Sequence, residues 1–372
     1  MPLKPTWNWQ QNDWPEFRYD ASKLAAFETE FLIQAGMFSG AVKHAGDGDR
    51  EQLTVELISD EALKTSEIEG EILNRESLQS SIRRNFGLAA DNRKIPPAEQ
   101  GIARMMVDLY RNFATPLTPE ILFLWHEMLM NGRQDLKDAG RYRTDESPMQ
   151  VVSGPLHAPK VHFEAPPFHA VPSEMTRFIR WFNQTSPRGK TPTLALARAG
   201  IAHLYFVSIH PFEDGNGRIG RAVAEKAISQ GLGQPTLIAL SHCIQSKRSA
   251  YYDNLERSNQ RNEITDWLVH FSETVLTAQK HAQRMLDFLI EKTHFYDRHR
   301  GQFNERQGKV VERLFREGPD GFKGGLSAEN YLRITGTSRA TATRDLQDLV
   351  DKQALTRAGQ LKSTRYRLNI PG

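Results

Sequence analysis

Residues 210–221 read His-Pro-Phe-Glu-Asp-Gly-Asn-Gly-Arg-Ile-Gly-Arg, and few backbone arrangements can hold such a stretch. A helix-like run, Pro192–Ser208, ends just before it. A second, Arg218–Gln230, begins inside it. The chain between them must therefore turn within a few residues. Gly215, Asn216 and Gly217 supply that turn, because glycine tolerates positive φ and asparagine visits it more readily than most residues. Consecutive amides in such a turn converge into an anion-binding nest, and the positive end of the following helix points at the same spot. Arg218 and Arg221, three apart, share one helix face and are suited to bidentate phosphate binding. Asp214 stands at the rim, where a carboxylate can hold Mg²⁺ that also binds phosphate oxygens. His210, with an ordinary pKa of about 6.5, can take a proton near neutral pH. The group as a whole reads as phosphoryl or nucleotidyl transfer to a hydroxyl.

Other readings of the same residues are weaker. Gly215-x-Gly217-x-x-Gly220 matches a dinucleotide fingerprint, but it follows a helix-like segment rather than a strand. No GxxxxGK[ST] loop exists, and His126-Glu127 lacks the second histidine of a zinc protease motif. His157 and His162 flank prolines in a β-like segment and read as structural or substrate-contacting rather than as metal ligands.

The rest of the chain reads as mostly helical. Apolar residues recur at helical spacing from Ala21 to Phe86, and Pro96-Pro97 mark a boundary. Further helices are expected over Ala98–Phe113, Pro119–Met130, Pro172–Asn183, Ser246–Arg257 and from Thr265 to about Lys292. Met149–Val152 and Lys160–Phe163 read as one β-hairpin on this helical body. The aromatic start, with Trp7, Trp9, Trp14 and Phe17, reads as an extended arm. The charged segment Thr293–Gln307 reads as a bridge between domains. Three domains are expected: 1–95, 98–292 and 300–372. With one cysteine, Cys243, among 372 residues, neither a disulfide framework nor a cysteine-based zinc site is available within a chain. No apolar run reaches the ~18 residues of a membrane span, and no secretory leader pattern is present. The expectation is a cytoplasmic protein with no membrane partner.

The stretch at 210–221 resembles the Fic family signature HPFx[DE]GNGRxxR at every fixed position. Gly140-Arg-Tyr-Arg143 before the hairpin, Tyr251-Tyr252 ahead of Asn259, and Trp267 are similar to further family features. The resemblance covers roughly residues 100 to 290. It implies a Fic helical-bundle core with a β-hairpin flap. It also implies AMP transfer from ATP, with Mg²⁺, to a Ser, Thr or Tyr hydroxyl of a protein. His210 would then be the general base. Asp214 would hold the metal, and Gly215, Asn216, Gly217, Arg218, Ile219, Gly220 and Arg221 would form the phosphate-binding run. Tyr251, Tyr252 and Asn259 would line the nucleoside pocket, with Val152, Ser153 and Gly154 on the flap. Related proteins transfer UMP, phosphate or phosphocholine, or remove AMP, and the signature excludes none of these. Self-association is common in the family, which implies a homodimer.

Upstream, Thr65-Ser-Glu-Ile-Glu69-Gly70 resembles the family's inhibitory motif [ST]xxxE[GN]. By itself it reads as an acidic helical turn interrupted by Gly70, at a cost of up to ~1 kcal/mol. The resemblance implies that Glu69 pairs with Arg221 and keeps it from the γ-phosphate. The Trp-rich N-terminal region is similar to a domain of unknown function that often precedes bacterial Fic domains.

The near-neutral total hides an asymmetry: residues 300–372 carry a net +6, the remainder −3. Val310–Arg316, Ala328–Ile334 and Arg339–Lys352 read as helices, the last two as helix–turn–helix with Gly336 in the turn and Ser338 as N-cap. Leu355–Arg357 and Thr364–Leu368 read as a wing carrying Arg357, Lys362, Arg365 and Arg367. This resembles a C-terminal winged helix-turn-helix. Arg339, Thr341, Thr343 and Arg344 would face outward, as residues that read DNA do. DNA binding and protein docking both fit such a module. A DNA-binding regulator whose Fic domain only senses nucleotide is the alternative to an enzyme.

Overall fold

The computed structural model describes residues 6–155, 159–322, 324–360 and 363–370. Residues His157 and Lys362, singled out above, lie outside the described residues. The fold is mostly α, as expected. In chain order the helices are α1 (Ala25–His44), α2 (Asp47–Ile68), α3 (Arg75–Phe86), α4 (Pro97–Asn112) and α5 (Pro119–Leu129). A hairpin follows, β1 (Gln150–Ser153) with β2 (Lys160–Glu164). Then come α6 (Val171–Gln184), α7 (Ala195–Ile209), α8 (Asn216–Leu232), α9 (Leu240–Ser246), α10 (Arg248–Ser258), α11 (Thr265–Arg298), α12 (Glu305–Arg316), α13 (Ala328–Thr335) and α14 (Arg339–Asp351). β3 (Leu355–Ala358) and β4 (Arg365–Leu368) close the chain. Prolines start several helices, since a first-turn residue has no intrahelical N–H bond to lose: Pro97 and Pro119 head α4 and α5, and Pro172 lies in the first turn of α6. Among the described residues no helix is long and apolar enough to cross a membrane.

Two compact units form. One comprises Met1–Gly40 and Thr54–Ala282, the other Ala41–Leu53 and Gln283–Gly372. At the centre of the first lies α7, buried on nearly every side, which is how a helix without a polar stripe must sit. It packs along α8, whose residues are buried almost as thoroughly. On α7, Arg198 donates to the Phe182 and Ala227 carbonyls at 2.8 and 3.2 Å, and the Trp267 indole donates to the Gly200 carbonyl at 2.8 Å. Residues 7–18, expected as an extended arm, instead turn through a short 3-10 helix, Asn8–Gln10, and pack on the rest of the first unit. The Trp7 ring stands edge-on to Phe163 of the hairpin at 5.4 Å, Asn8 Nδ2 donates to Ser208 Oγ at 2.9 Å, and Arg18 bridges to Glu263.

Two further expected elements differ. The helix expected over Ser246–Arg257 is the pair α9 and α10, because Lys247 leaves helical geometry at φ −127°. The expected bridge Thr293–Gln307 is largely helical: α11 continues to Arg298. Its charges hide an apolar contact, with Phe295 fully buried and Phe295 and Tyr296 both against Phe315. An Asn304–Gln307 capping box then starts α12.

In the second unit α12, α13 and α14 pack with the antiparallel β3–β4 pair, and Leu326 bridges to Tyr366. Leu346 and Leu349 are fully buried. Tyr331 Oη and Arg306 Nε both donate to Asp345 Oδ2, at 2.8 Å each, so α12, α13 and α14 share one carboxylate. Arg339, Thr343 and Arg344 are exposed and Thr341 is half-exposed.

Candidate active site

The α7–α8 connection is held by its own side chains. His210 caps α7 with φ 52°, a left-handed conformation rare for a residue with a Cβ. Gly215, at φ 79°, makes the second left-handed step and is the N-cap of α8. The Asn216 side chain spans the loop, accepting from the Phe212 amide at 2.9 Å and donating to the Phe212 carbonyl at 2.8 Å. Its amide group is thus committed to the loop, and what Asn216 offers an anion is its backbone N–H at the helix start.

His126, on α5, is a support the sequence reading missed. Its ring is fully buried and stacked on Phe212 at 4.1 Å. The Gly140 amide donates to its Nδ1 at 2.9 Å, so Nε2 carries the proton and donates to the Asp214 carbonyl at 3.2 Å. Burial pushes its pKa down to about 4, which keeps it neutral in this role. Arg143 is a second such support. It is buried, donates from Nε to the His210 carbonyl at 2.9 Å and from Nη2 to the Pro166 carbonyl at 2.5 Å, and its amide donates to the Pro211 carbonyl at 2.9 Å. No motif marked either residue for this work, because both act through backbone atoms.

His210 itself is half-buried. Its Nδ1 faces the Val207 carbonyl at 3.2 Å, so Nδ1 carries the proton and Nε2 holds the lone pair. Burial, helped by the Arg143 charge, lowers its pKa to about 4. Asp214 stays ionised: burial raises its pKa, but the Gly215 amide on Oδ1 and Arg133 on Oδ2, 2.9 Å away, outweigh that.

Both arginines of α8 are buried, Arg218 at 5% exposure and Arg221 at 2%, and both meet carboxylates from the end of α2. Gly70, at φ 87°, ends that helix in a Schellman turn: the Gly70 amide donates to the Glu67 carbonyl and the Glu71 amide to the Ser66 carbonyl, each at 3.0 Å. The glycine therefore does not interrupt a helix; it terminates one and presents Glu69 and Glu71 side by side. Arg221 donates from Nη2 to Glu69 Oε1 at 2.7 Å, from Nε to Thr65 Oγ1 at 2.7 Å, and from Nη2 to the Thr65 carbonyl at 2.9 Å. Burial lowers the Arg221 pKa, but the Glu69 charge more than offsets this and holds the guanidinium charged. Arg218 donates from Nη1 to Glu71 Oε2 at 2.5 Å. Glu71 lies outside the sequence motif and was not anticipated. Glu69 reaches the α8 N-terminus only because position 217 lacks a side chain; a Cβ there would stand 2.2 Å from Glu69 Oε1.

The other predicted residues are placed as follows. Tyr251 and Tyr252 lie within electrostatic range of Arg221 and Glu69, and Tyr251 Oη pairs with His203 Nε2 at 2.7 Å. Asn259 is buried: its carbonyl accepts from the Asn8 amide at 2.6 Å and its Oδ1 from Ser208 Oγ at 3.3 Å. Ile219 is fully buried, and Gly220 faces Val207 and His203 of α7. In the hairpin Val152 is 51% exposed and Gly154 is in the left-handed region. Ser153 Oγ meets His162 Nε2 at 2.6 Å, and His162 Nδ1 meets Glu256 of α10 at 2.7 Å, which pins the hairpin to α10.

A family model described as Fic/DOC family matches residues 116–228, the span that holds the hairpin, α7 and most of α8. The chain carries a Fic/DOC domain. A second model, described as a domain of unknown function (DUF4172), matches residues 7–88. The chain is 34% identical over 86 residues to "Protein adenylyltransferase Fic" of Drosophila melanogaster, 23% of this chain and 16% of that protein. It is 30% identical over 128 residues to "Protein adenylyltransferase fic-1" of Caenorhabditis briggsae, 34% of this chain and 22% of that protein. The match thus spans about a fifth of these curated relatives. In fold, the chain is similar to a Fic family protein from Desulfovibrio desulfuricans G20, with TM-score 0.53 and 20% identity over 95% of this chain and 98% of that one. A Fic domain containing signaling protein from Bacteroides thetaiotaomicron VPI-5482 gives TM-score 0.53 and 18% identity over 70% and 97%. The Fic fold, a helical core with a β-hairpin beside the α7–α8 loop, is thereby shared.

Proposed function

We propose that this chain is a self-inhibited protein adenylyltransferase that moves AMP from ATP to a Ser, Thr or Tyr hydroxyl of a protein. One observation carries the reading. At the end of α7 the His210 Nδ1 faces the Val207 carbonyl, which leaves the lone pair on Nε2, and two buried guanidiniums follow in α8, each already engaged by a carboxylate. A triphosphate is the ligand whose charge would replace those carboxylates.

In the proposed reaction His210 Nε2 removes the hydroxyl proton. The oxygen attacks the α-phosphorus, the bond to the bridging oxygen of the β-phosphate breaks, and pyrophosphate leaves. The amides of Asn216 and Gly217, with Arg218 and Arg221, neutralise phosphate charge. Asp214 fits Mg²⁺, being an ionised oxygen donor on the rim, of the kind this ion takes singly alongside substrate phosphates. Bound there, Mg²⁺ would neutralise further phosphate charge. The exposed edge of β1 suits a target backbone added as a strand, with Val152, Ser153 and Gly154 along it.

Glu69 supplies the inhibition. It sits against the α8 N-terminus and on Arg221, so ATP must displace it or bind misaligned. The test is labelling by α-³²P-ATP. Glu69→Gly should label protein strongly where the native chain labels weakly, and His210→Ala in that background should erase the label. Equal labelling by the native and Glu69→Gly proteins rejects the brake. No labelling by either favours a nucleotide-sensing regulator. The C-terminal module, read as a winged helix, would then supply DNA or protein binding.

A further inference from the structure

Away from this site, Asp60 of α2, His242 of α9 and His281 of α11 bring three ligand atoms within 4.8 Å of one another. His242 Nδ1 stands 2.8 Å from Asp60 Oδ2, and His281 Nε2 stands 3.3 Å from the same oxygen. The two imidazoles stack with centroids 4.0 Å apart and planes 19° from parallel. His281 is 5% exposed; its Nδ1 has no hydrogen-bond partner among the described residues, and its Nε2 has only the 3.3 Å approach to Asp60. Leaving such a ring nitrogen buried costs about 1–3 kcal/mol, which a ligand drawn onto the His281 ring would offset.

We infer that Asp60, His242 and His281 form a binding site for a zinc-class divalent ion that ties α2 to α9 and α11. Four-coordinate zinc holds its ligands at ~2.0–2.1 Å, which sets them about 3.3 Å apart, near the two spacings found here. Two imidazoles and one carboxylate suit zinc, nickel or copper, whereas magnesium and calcium prefer all-oxygen sets. His242 is 31% exposed, so solvent reaches the cluster from its side and leaves room for water as a fourth ligand. The helices are already aligned for this: next to the cluster, Glu61 accepts from the Ser241 amide at 2.6 Å and from its hydroxyl. The ion would thus fasten the same helix whose far end carries Glu69.

The full chain, stripped with chelator, is titrated with Co²⁺ and read by visible d–d absorption. One equivalent should give a four-coordinate band that one equivalent of Zn²⁺ abolishes and excess Mg²⁺ does not. Zn²⁺ should also raise the Tm by a few degrees. His281→Gln and Asp60→Asn should lose the band and bind Zn²⁺ at least about 100-fold more weakly. Circular dichroism checks that each variant folds. His242→Ala, at the exposed edge, decides the matter if the buried variants do not fold. Absence of a band in the native chain, displacement by Mg²⁺, or unchanged affinity in folded variants would overturn the assignment. None of these readouts depends on nucleotide transfer.

Discussion

Helices α8 and α14 each carry two arginines in their first two turns, and they use them in opposite ways. At the start of α8, Arg218 and Arg221 are buried and each meets a carboxylate from the end of α2. At the start of α14, Arg339 and Arg344 stand exposed in solvent. Burying a guanidinium costs desolvation energy; Arg143 and Arg198 offset it on carbonyls, whereas Arg218 and Arg221 sit on carboxylates, where the proposed function would put a triphosphate. Exposed arginines keep their hydration and offer a diffuse positive face, suited to a polyanion read mainly through its charge. Both pairs lie near a helix start; burial separates them.

The largest effect that would break this contrast lies at His210. In the Glu69→Gly background, His210→Ala should lower labelling by ~10²–10⁴-fold, the usual weight of a general base. A loss under tenfold would remove the base from the account. Glu69→Gly should raise labelling of the native chain by at least about tenfold. Each 1.4 kcal/mol is a factor of ten, and freeing a buried arginine from its partner involves more than that.

The pH profile separates a buried histidine from an ordinary one. A base must be neutral to act, and the His210 pKa is lowered to about 4 by burial. Labelling by Glu69→Gly should then be flat from pH 8 to 5.5 and decline only as the pH approaches 4. An ordinary histidine near 6.5 would already lose about tenfold by pH 5.5. Removing Glu69 also removes a charge that raises this pKa, which strengthens the prediction.

Glu71→Ala should raise labelling less than about fivefold, since its pair with Arg218 is partly solvated on the glutamate side. The smallest effects belong to α14. If that face holds DNA, Arg339→Ala and Arg344→Ala in the full chain should each reduce the salt slope of binding by about 1. A slope unchanged by both would assign the face to protein docking instead.

Much of the site was legible because its chemistry is contiguous. Residues 210–221 carry the proposed base, the tight turn and two guanidiniums in one run, and the Thr65–Gly70 pattern pointed to the pair that Arg221 makes. Pro119 and Pro172 marked helix starts by their missing N–H and Pro96-Pro97 a boundary, whereas Pro116 and Pro192 lie ahead of the helices that begin at Pro119 and Ala195. What the sequence hid works through backbone atoms or through space. His126 and Arg143 hold carbonyls of the loop, Glu71 reaches Arg218 only because Gly70 ends α2 where it does, and Asn259 is bound by Asn8. The length of α11 was hidden by charges surrounding Phe295, whose partner Phe315 is on another helix.

The most direct test is a crystal structure of Glu69→Gly with ATP and Mg²⁺. The account predicts phosphate oxygens on the amides of Asn216 and Gly217, the β- and γ-phosphates held by Arg218 and Arg221, and the α-phosphorus accessible to a hydroxyl activated at His210 Nε2. A triphosphate bound elsewhere, with both arginines of α8 leaving it untouched, would contradict it.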